Sequence, residues 1–232
     1  MKDLDSLQLF QGNLAYPRTW EDYPKPRVSK RVIDLTVCIL LLPILFIVIP
    51  LISLLIVMES KGPAIFVQER IGLGGKRFRI YKFRSMLCNR SNEEERNYMK
   101  GYISGQIGND EKTLPLHKPI QKQDITRIGR ILRKSSLDEL PQILNVLKGE
   151  MSLIGPRPNV SWEVEHYKNW HYERLNTLPG ITGLAQVRGR SSIAFDQIAR
   201  FDIQYVRNQN LLMDFQIVWW TFQTVFSGKG AG

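Results

Sequence analysis

The run LTVCILLLPILFIVIPLISLLIVM, Leu35 to Met58, carries no charged residue. At about 24 positions it is long enough to cross the hydrocarbon of a bilayer. A helix that is apolar on every side has no face to show to water, so the fold must cover it with lipid or with protein. A cleavable leader is a poor reading, because a polar stretch precedes the run, the run is too long, and no small-residue cleavage site follows. Crossing the membrane and dipping back out of it remain. Lys25, Arg27, Lys30 and Arg31 lie before the run; Lys61, Arg70, Lys76, Arg77, Arg79, Lys82 and Arg84 lie after it. Positive flanks favour the cytoplasmic side, and a full crossing would send one of these flanks across. Pro43 and Pro50 each remove a helical hydrogen bond, which suits a helix bent back to its own side. Membrane helices also tolerate proline, so these residues alone leave both topologies open.

The remaining composition narrows the partner. The 232 residues hold 32 Lys+Arg against 22 Asp+Glu, a formal charge of +10. Such an excess calls for an anion: nucleic acid, a membrane surface or a phosphorylated substrate. Nucleic acid is set aside, since no helix-turn-helix, zinc-finger or aromatic RNA-binding signature occurs. Cys38 and Cys88 form no disulfide framework, and His117, His166 and His171 lack the HExxH spacing of a zinc enzyme.

Residues 1–29 are polar and proline-containing and read as an extension. Two β-rich runs, Ala64–Arg70 and Arg77–Phe83, flank the glycine-rich turn Gly72 to Gly75 and predict a hairpin. Residues 90–123, charged and broken by Gly and Pro, read as a mobile surface insertion with one short helix around Glu93–Met99. Two short helices follow. The first lies near Arg127–Lys134. The second opens at Ser136–Asp138, carries Leu140, Ile143, Leu144 and Leu147 on one face, and stops at Gly149. PGITGLAQVRGR reads as a turn, a short strand and a basic loop. Near the C-terminus Leu211, Leu212, Phe215, Val218, Trp219, Phe222, Val225 and Phe226 recur at helical spacing. An aromatic amphipathic helix on such a chain suits a lipid interface; packing into the core is the alternative.

Asp138 and Glu139 stand side by side. Locally, Ser136-Leu137-Asp138-Glu139 matches a capping box, with Glu139 reaching back to the cap. The surroundings ask for more. Arg127, Arg130, Arg133 and Lys134 come before the pair; Lys148, Arg157, Arg188 and Arg190 come after it. A cap needs none of these, whereas a phosphate does. Adjacent carboxylates can hold Mg²⁺ against a diphosphate, and a carboxylate can attack phosphorus directly. A membrane-anchored basic adaptor would explain the charge and the apolar run, but not this pair beside GPRP, Gly155 to Pro158.

Five stretches together resemble the bacterial sugar transferase family, the monotopic phosphoglycosyl transferases. They are KRVIDL (Lys30–Leu35), GPAIFVQERIGLGGKRFRIYKFRSM (Gly62–Met86), ITRIGRILRKSSLDELPQILNVLKGEMSLIGPRP (Ile125–Pro158), PGITGLAQVRGR (Pro179–Arg190) and FDIQYVRNQNLLMDFQIVWWT (Phe201–Thr221). The resemblance covers residues 30–226. It implies that Asp138 is the nucleophile on the β-phosphorus of a UDP-sugar, releasing UMP, and that Glu139 with Asp138 holds Mg²⁺. Lys82, Arg84, Arg133 and Arg157 would contact phosphates. Polyprenol phosphate, in particular undecaprenyl phosphate, would then take the phosphosugar and start a surface glycan. The resemblance also implies a re-entrant helix in the cytoplasmic leaflet of the bacterial inner membrane. The family breaks that helix at a Ser-Pro, whose place here is near Phe46-Ile47, with the prolines at 43 and 50 instead. HYKNWHYERLNTLPGITG looks like the exopolysaccharide and capsule initiators and points to a hexose such as glucose or galactose. Self-association is left open.

The expected fold is α+β and mostly helical. It combines an N-terminal re-entrant membrane helix, interfacial amphipathic helices and a small β-hairpin or sheet in a cytoplasmic-facing catalytic domain. The expected divisions are the extension 1–29, the membrane helix 30–60 and the transferase domain 61–232.

Overall fold

The apolar run forms one helix, α1 (Val28–Glu59), that continues through Pro43 and Pro50. No break is seen at either proline, nor at Phe46-Ile47 between them. The structure, a computed structural model, describes residues 28–87, 93–107, 124–189 and 193–227. Nearly all of the polar extension, and Arg190 of the basic loop, lie outside these residues.

One stripe of α1 is buried: Asp34, Cys38, Leu45, Ile52 and Ile56. The steps of four and seven residues keep these positions on one helical face. Cys38 and Leu45 pack with Phe78, Ile80, Ile143, Val146 and Met151. Ile52 and Ile56 pack with Phe83 and Leu132. The opposite face is bare, with Phe46 85% exposed. Both ends of α1 are tied to the same body. At the start, Arg31 donates to the carbonyls of Val146 (2.7 Å) and Leu147 (3.2 Å), Lys30 pairs with Asp214 at 2.8 Å, and Asp34 accepts from Ser152 Oγ at 2.7 Å. At the far end, the Arg84 guanidinium donates to the carbonyls of Ile56, Ser60 and Lys61, satisfying acceptors that a helix C-terminus leaves open. The Glu59 carboxylate accepts from the backbone N–H groups of Arg127 (2.6 Å) and Ile128 (3.0 Å).

The predicted hairpin forms. β1 (Ile65–Ile71) and β2 (Arg77–Phe83) pair antiparallel around a 3₁₀ turn, Leu73–Gly75. Gly74 and Gly75 have φ of 67° and 74°, a region that suits glycine. In the reputed insertion, α2 (Glu93–Ser104) is longer than expected and is not a detached surface element. Its Met99, Tyr102 and Ile103 are buried against Tyr167 and Phe195. A charged sequence with few apolar positions concealed this, because those few fall on one face.

α3 (Arg127–Ser135) is followed by a 3₁₀ turn, Leu137–Gln142, and then α4 (Ile143–Lys148), which ends at Gly149 with φ 81°. The expected apolar face is only partly right. Leu144 is exposed, while Asn145 and Val146 are fully buried. A 3₁₀ turn advances three residues per turn rather than 3.6, so it rotates everything after it relative to a pure α-helix.

β3 (Ser152–Ile154) and β4 (Gly180–Thr182) form a short parallel pair. β4 leads into a helix, α6 (Leu184–Arg188), where a loop was expected. Around this pair three glycines let backbones touch: a Cβ at Gly180 would lie 2.0 Å from the nitrogen of Gly155, and one at Gly183 would lie 2.2 Å from its oxygen. α5 (Ser161–Val164), a 3₁₀ segment (Asn169–Leu175), α7 (Phe195–Asn208) and α8 (Leu211–Ser227) complete the body. α8 packs Ile217 and Trp220 inward, yet leaves Leu212, Phe215, Trp219 and Phe222 exposed along one face. The described chain is thus mostly helical, with two small sheets.

Candidate active site

Lys82 lies near the end of β2, on the same face of the strand as buried Phe78 and Ile80. It faces Glu139 from there. Lys82 Nζ donates to Glu139 Oε1 at 2.8 Å, and Arg157 Nη1 donates to the same oxygen at 3.0 Å. Asn145 staples this arrangement from behind. Its amide donates to the carbonyl of Arg79 (2.7 Å) and to Glu150 (2.7 Å), and its Oδ1 accepts from the N–H of Tyr81 (3.2 Å). A fully buried Asn thereby binds α4 to the outer edge of β2, one residue from Lys82.

The carboxylate pair sits on the 3₁₀ turn. Ser136, at the joint with α3, has φ 58° and ψ 16°, and among the described residues it alone is a non-glycine with positive φ. Left-handed backbone costs energy for a residue with a Cβ, and such strain concentrates at functional sites. The capping box read from the sequence does not form: the Ser136 side chain caps nothing, and Glu139 is held by Lys82 and Arg157. The cap is overturned because two cations offer a carboxylate more than one backbone N–H does.

The two neighbouring acids have opposite environments. Burial alone pushes Glu139 upward, but Lys82 and Arg157 together override it and hold its pKa at about 2. Burial, then the adjacent Glu139 charge, raise Asp138 above the usual aspartate value, against the pull of Lys82, Arg157 and Arg133. Burial and the repulsion of Arg157 bring Lys82 down to about 8, against the attraction of Glu139. Among the described residues the Asp138 side chain makes no hydrogen bond or ion pair. One carboxylate is locked as an orienting anion; its neighbour keeps free lone pairs and a raised basicity. Pairs of acids with environments that diverge in this way mark division of labour in a site.

Of the other expected residues, Arg133 lies close enough for its charge to act on Asp138, and its Nη1 approaches Met86 Sδ at 3.5 Å. Arg84 is 5% exposed, and its guanidinium donates to the carbonyls at the end of α1. Lys148 and Arg188 are also engaged elsewhere, on Tyr81 (Oη 2.8 Å) and over the ring of Trp220 (4.4 Å).

Among the described residues no cluster of three or more metal-binding side chains forms. Among the described residues, the site oxygens without a protein partner are those of Asp138 and Glu139 Oε2. Two carboxylates fit Mg²⁺, which usually completes its shell with water and substrate phosphates rather than with a protein cage.

Asn145 and Arg174, which supports Arg157 from behind, were not singled out from the sequence. The signal for Asn145 was a polar residue inside an apolar stripe; none marked Arg174.

A family model described as bacterial sugar transferase matches residues 25–228. The chain is 37% identical over 230 residues to the galactosyl transferase CpsE of Streptococcus agalactiae, covering 97% of this chain and 48% of that protein. It is 38% identical to the UDP-glucose:undecaprenyl-phosphate glucose-1-phosphate transferase of Caulobacter vibrioides, covering 90% and 75%. It is 35% identical to the exopolysaccharide production protein ExoY of Sinorhizobium fredii, covering 88% of each. The chain belongs to the bacterial sugar transferase family. It spans about half the length of several of the curated relatives it matches, CpsE among them.

Proposed function

We propose that this protein transfers a hexose-1-phosphate from a UDP-sugar to a polyprenol phosphate, in particular undecaprenyl phosphate, and so initiates a surface glycan. The carrying observation is the divergent pair: Glu139 tied to Lys82 and Arg157, and Asp138 beside it with free oxygens. Relatives named as undecaprenyl-phosphate transferases of galactose, glucose and N-acetylgalactosamine phosphates support the substrate class, and their variety leaves the sugar unassigned.

In this reading an Asp138 oxygen attacks the β-phosphorus of the UDP-sugar. The bond from that phosphorus to the bridging oxygen breaks, and UMP leaves with the electron pair. The phosphosugar stays as an ester on Asp138. A phosphate oxygen of the lipid then attacks the same phosphorus, the aspartyl bond breaks, and Asp138 returns as a carboxylate. Two substrates of opposite solubility thus use one nucleophile in turn. Arg157 and Lys82 orient the diphosphate, and Arg133 adds positive potential. Asp138 and Glu139 would hold Mg²⁺, which when bound neutralises diphosphate charge. Incubation with a UDP-hexose and Mg²⁺ in the absence of lipid is expected to leave a sugar-phosphate mass on the Asp138 peptide. Turnover only as a ternary complex, with no such adduct, would refute the nucleophile.

The same reading has both ends of α1 on the cytoplasmic side of the inner membrane, with the helix in that leaflet. It is supported by the attachment of both helix ends to one body and by the bare apolar faces of α1 and α8. Leu137, next to Asp138, is also exposed, as is Ile131. Cysteines placed at Lys25 and Lys61 are expected to react with an impermeant reagent from the cytoplasmic side alone; labelling of one from each side would establish a span.

A further inference from the structure

GPRP contains two residues, Pro156 and Pro158, that have no N–H. Such a loop has few donors of its own, Gly155 N–H to Thr182 O at 2.9 Å among them, and is held mainly from outside through its carbonyls. Three of its four carbonyls each take one donor. Pro156 O accepts from Gly180 N at 2.9 Å, Pro158 O accepts from Arg70 Nη1 at 3.2 Å, and Arg157 O accepts from Arg174 Nη2 at 3.2 Å. The donor to Arg157 is unlike the other two. Arg174 is 3% exposed and also donates to Asp202 Oδ2 and, through Nη1, to Tyr167 Oη at 2.9 Å. Asp202, on α7, is 1% exposed. Desolvating two charges in a core contributes little net stability, and apolar residues of equal volume often do as well. A guanidinium is nonetheless a donor with several fixed directions, able to reach a carboxylate, a phenol and a carbonyl together.

We propose that the buried Arg174–Asp202 pair is a positioning device for Arg157, fixing its carbonyl and thereby the reach of its guanidinium to Glu139. The inference rests on the role assigned above to Arg157 at the phosphates. Asp202 holds Arg174 in direction, Arg174 holds the backbone of Arg157, and the Arg157 side chain is left free to meet Glu139 at 3.0 Å. Arg174 touches no substrate in this scheme.

The test is a double-mutant cycle on the full chain in nanodiscs, reading UMP release from the UDP-hexose it turns over fastest. Arg174→Lys keeps a charge opposite Asp202 but lacks the fork. It is expected to lower kcat/KM by about 10- to 100-fold, the scale of a misplaced active group. In an Arg157→Ala background the same change is expected to cost less than about twofold, since coupled residues are not additive. A split of kcat against KM supplies a readout that mere loosening would not move: Arg174→Lys is expected to shift the two parameters in the same proportion as Arg157→Ala, because both act through the one guanidinium that meets Glu139. Asp202→Asn, which keeps an acceptor for Arg174 without the charge, is expected to follow the same pattern and covers a folding failure of the lysine variant. Full additivity with Arg157→Ala, or a kcat-against-KM split unlike that of Arg157→Ala, overturns the positioning role. If Arg157→Ala itself turns over normally, the reading of the active site fails first.

Discussion

Asp138→Asn is expected to abolish transfer, by about 10⁴-fold or more on the scale of a lost nucleophile, while leaving the protein folded and membrane-bound. Under the proposed mechanism the amide cannot form the phosphosugar ester, so both half-reactions would stop together. The same substitution is expected to raise the melting temperature. Asp138 has a folded pKa above its unfolded value because burial and the charge of Glu139 disfavour the carboxylate. Its charged form is therefore a cost to the folded state, absent below the ordinary aspartate value and complete once pH exceeds the raised one. At neutral pH the amide removes this cost. Loss of activity together with gain of stability is the signature of a residue kept for chemistry. A thermal scan beside a UMP-release assay checks it, and a folded variant that still glycosylates lipid would sink the assignment.

Glu139→Gln is expected to do the reverse to stability. It leaves Lys82 and Arg157 facing each other without their shared anion, at a cost of about 2–3 kcal/mol, and lowers turnover by about 10²- to 10³-fold through misplaced cations. The pH dependence carries its own sign. Glu139 is held at about 2, below its ordinary 4.5. Its contribution is whole above about pH 4.5 and disappears as pH falls towards 2. Across that window the glutamine variant is expected to lose less stability than the parent. Denaturant unfolding at pH 3 and pH 6 measures the difference, and equal acid sensitivity would show that the Lys82–Glu139–Arg157 cluster does not exist in solution.

The parts legible in the sequence were those set by local chemistry. Alternating β-rich runs around Gly72 to Gly75 gave the hairpin and Gly149 gave the end of α4, while the helical spacing from Leu211 to Phe226 gave an apolar helix but left open whether it packs inward or faces out, and α8 does both. What depended on long-range pairing was not legible. Arg84 and Lys82 differ by two residues, yet one caps α1 and the other meets Glu139. The capping box at Ser136 was plausible within four residues and was undone by partners 57 and 18 positions away. Tyr102 in α2 and Asp202 in α7 looked unremarkable because their partners, Phe195 and Arg174, lie far along the chain.

The stripe Cys38, Leu45, Ile52 and Ile56 makes the anchor and the interior a single object. Phe78, Ile80, Phe83, Val146 and Met151 have α1 for a ceiling, and clipping it off would expose them to water. A soluble truncation beginning after Glu59 therefore has no finished core to fold around. Extraction from lipid and loss of native structure should accordingly be coupled events, with the choice of detergent deciding how far apart they can be pulled.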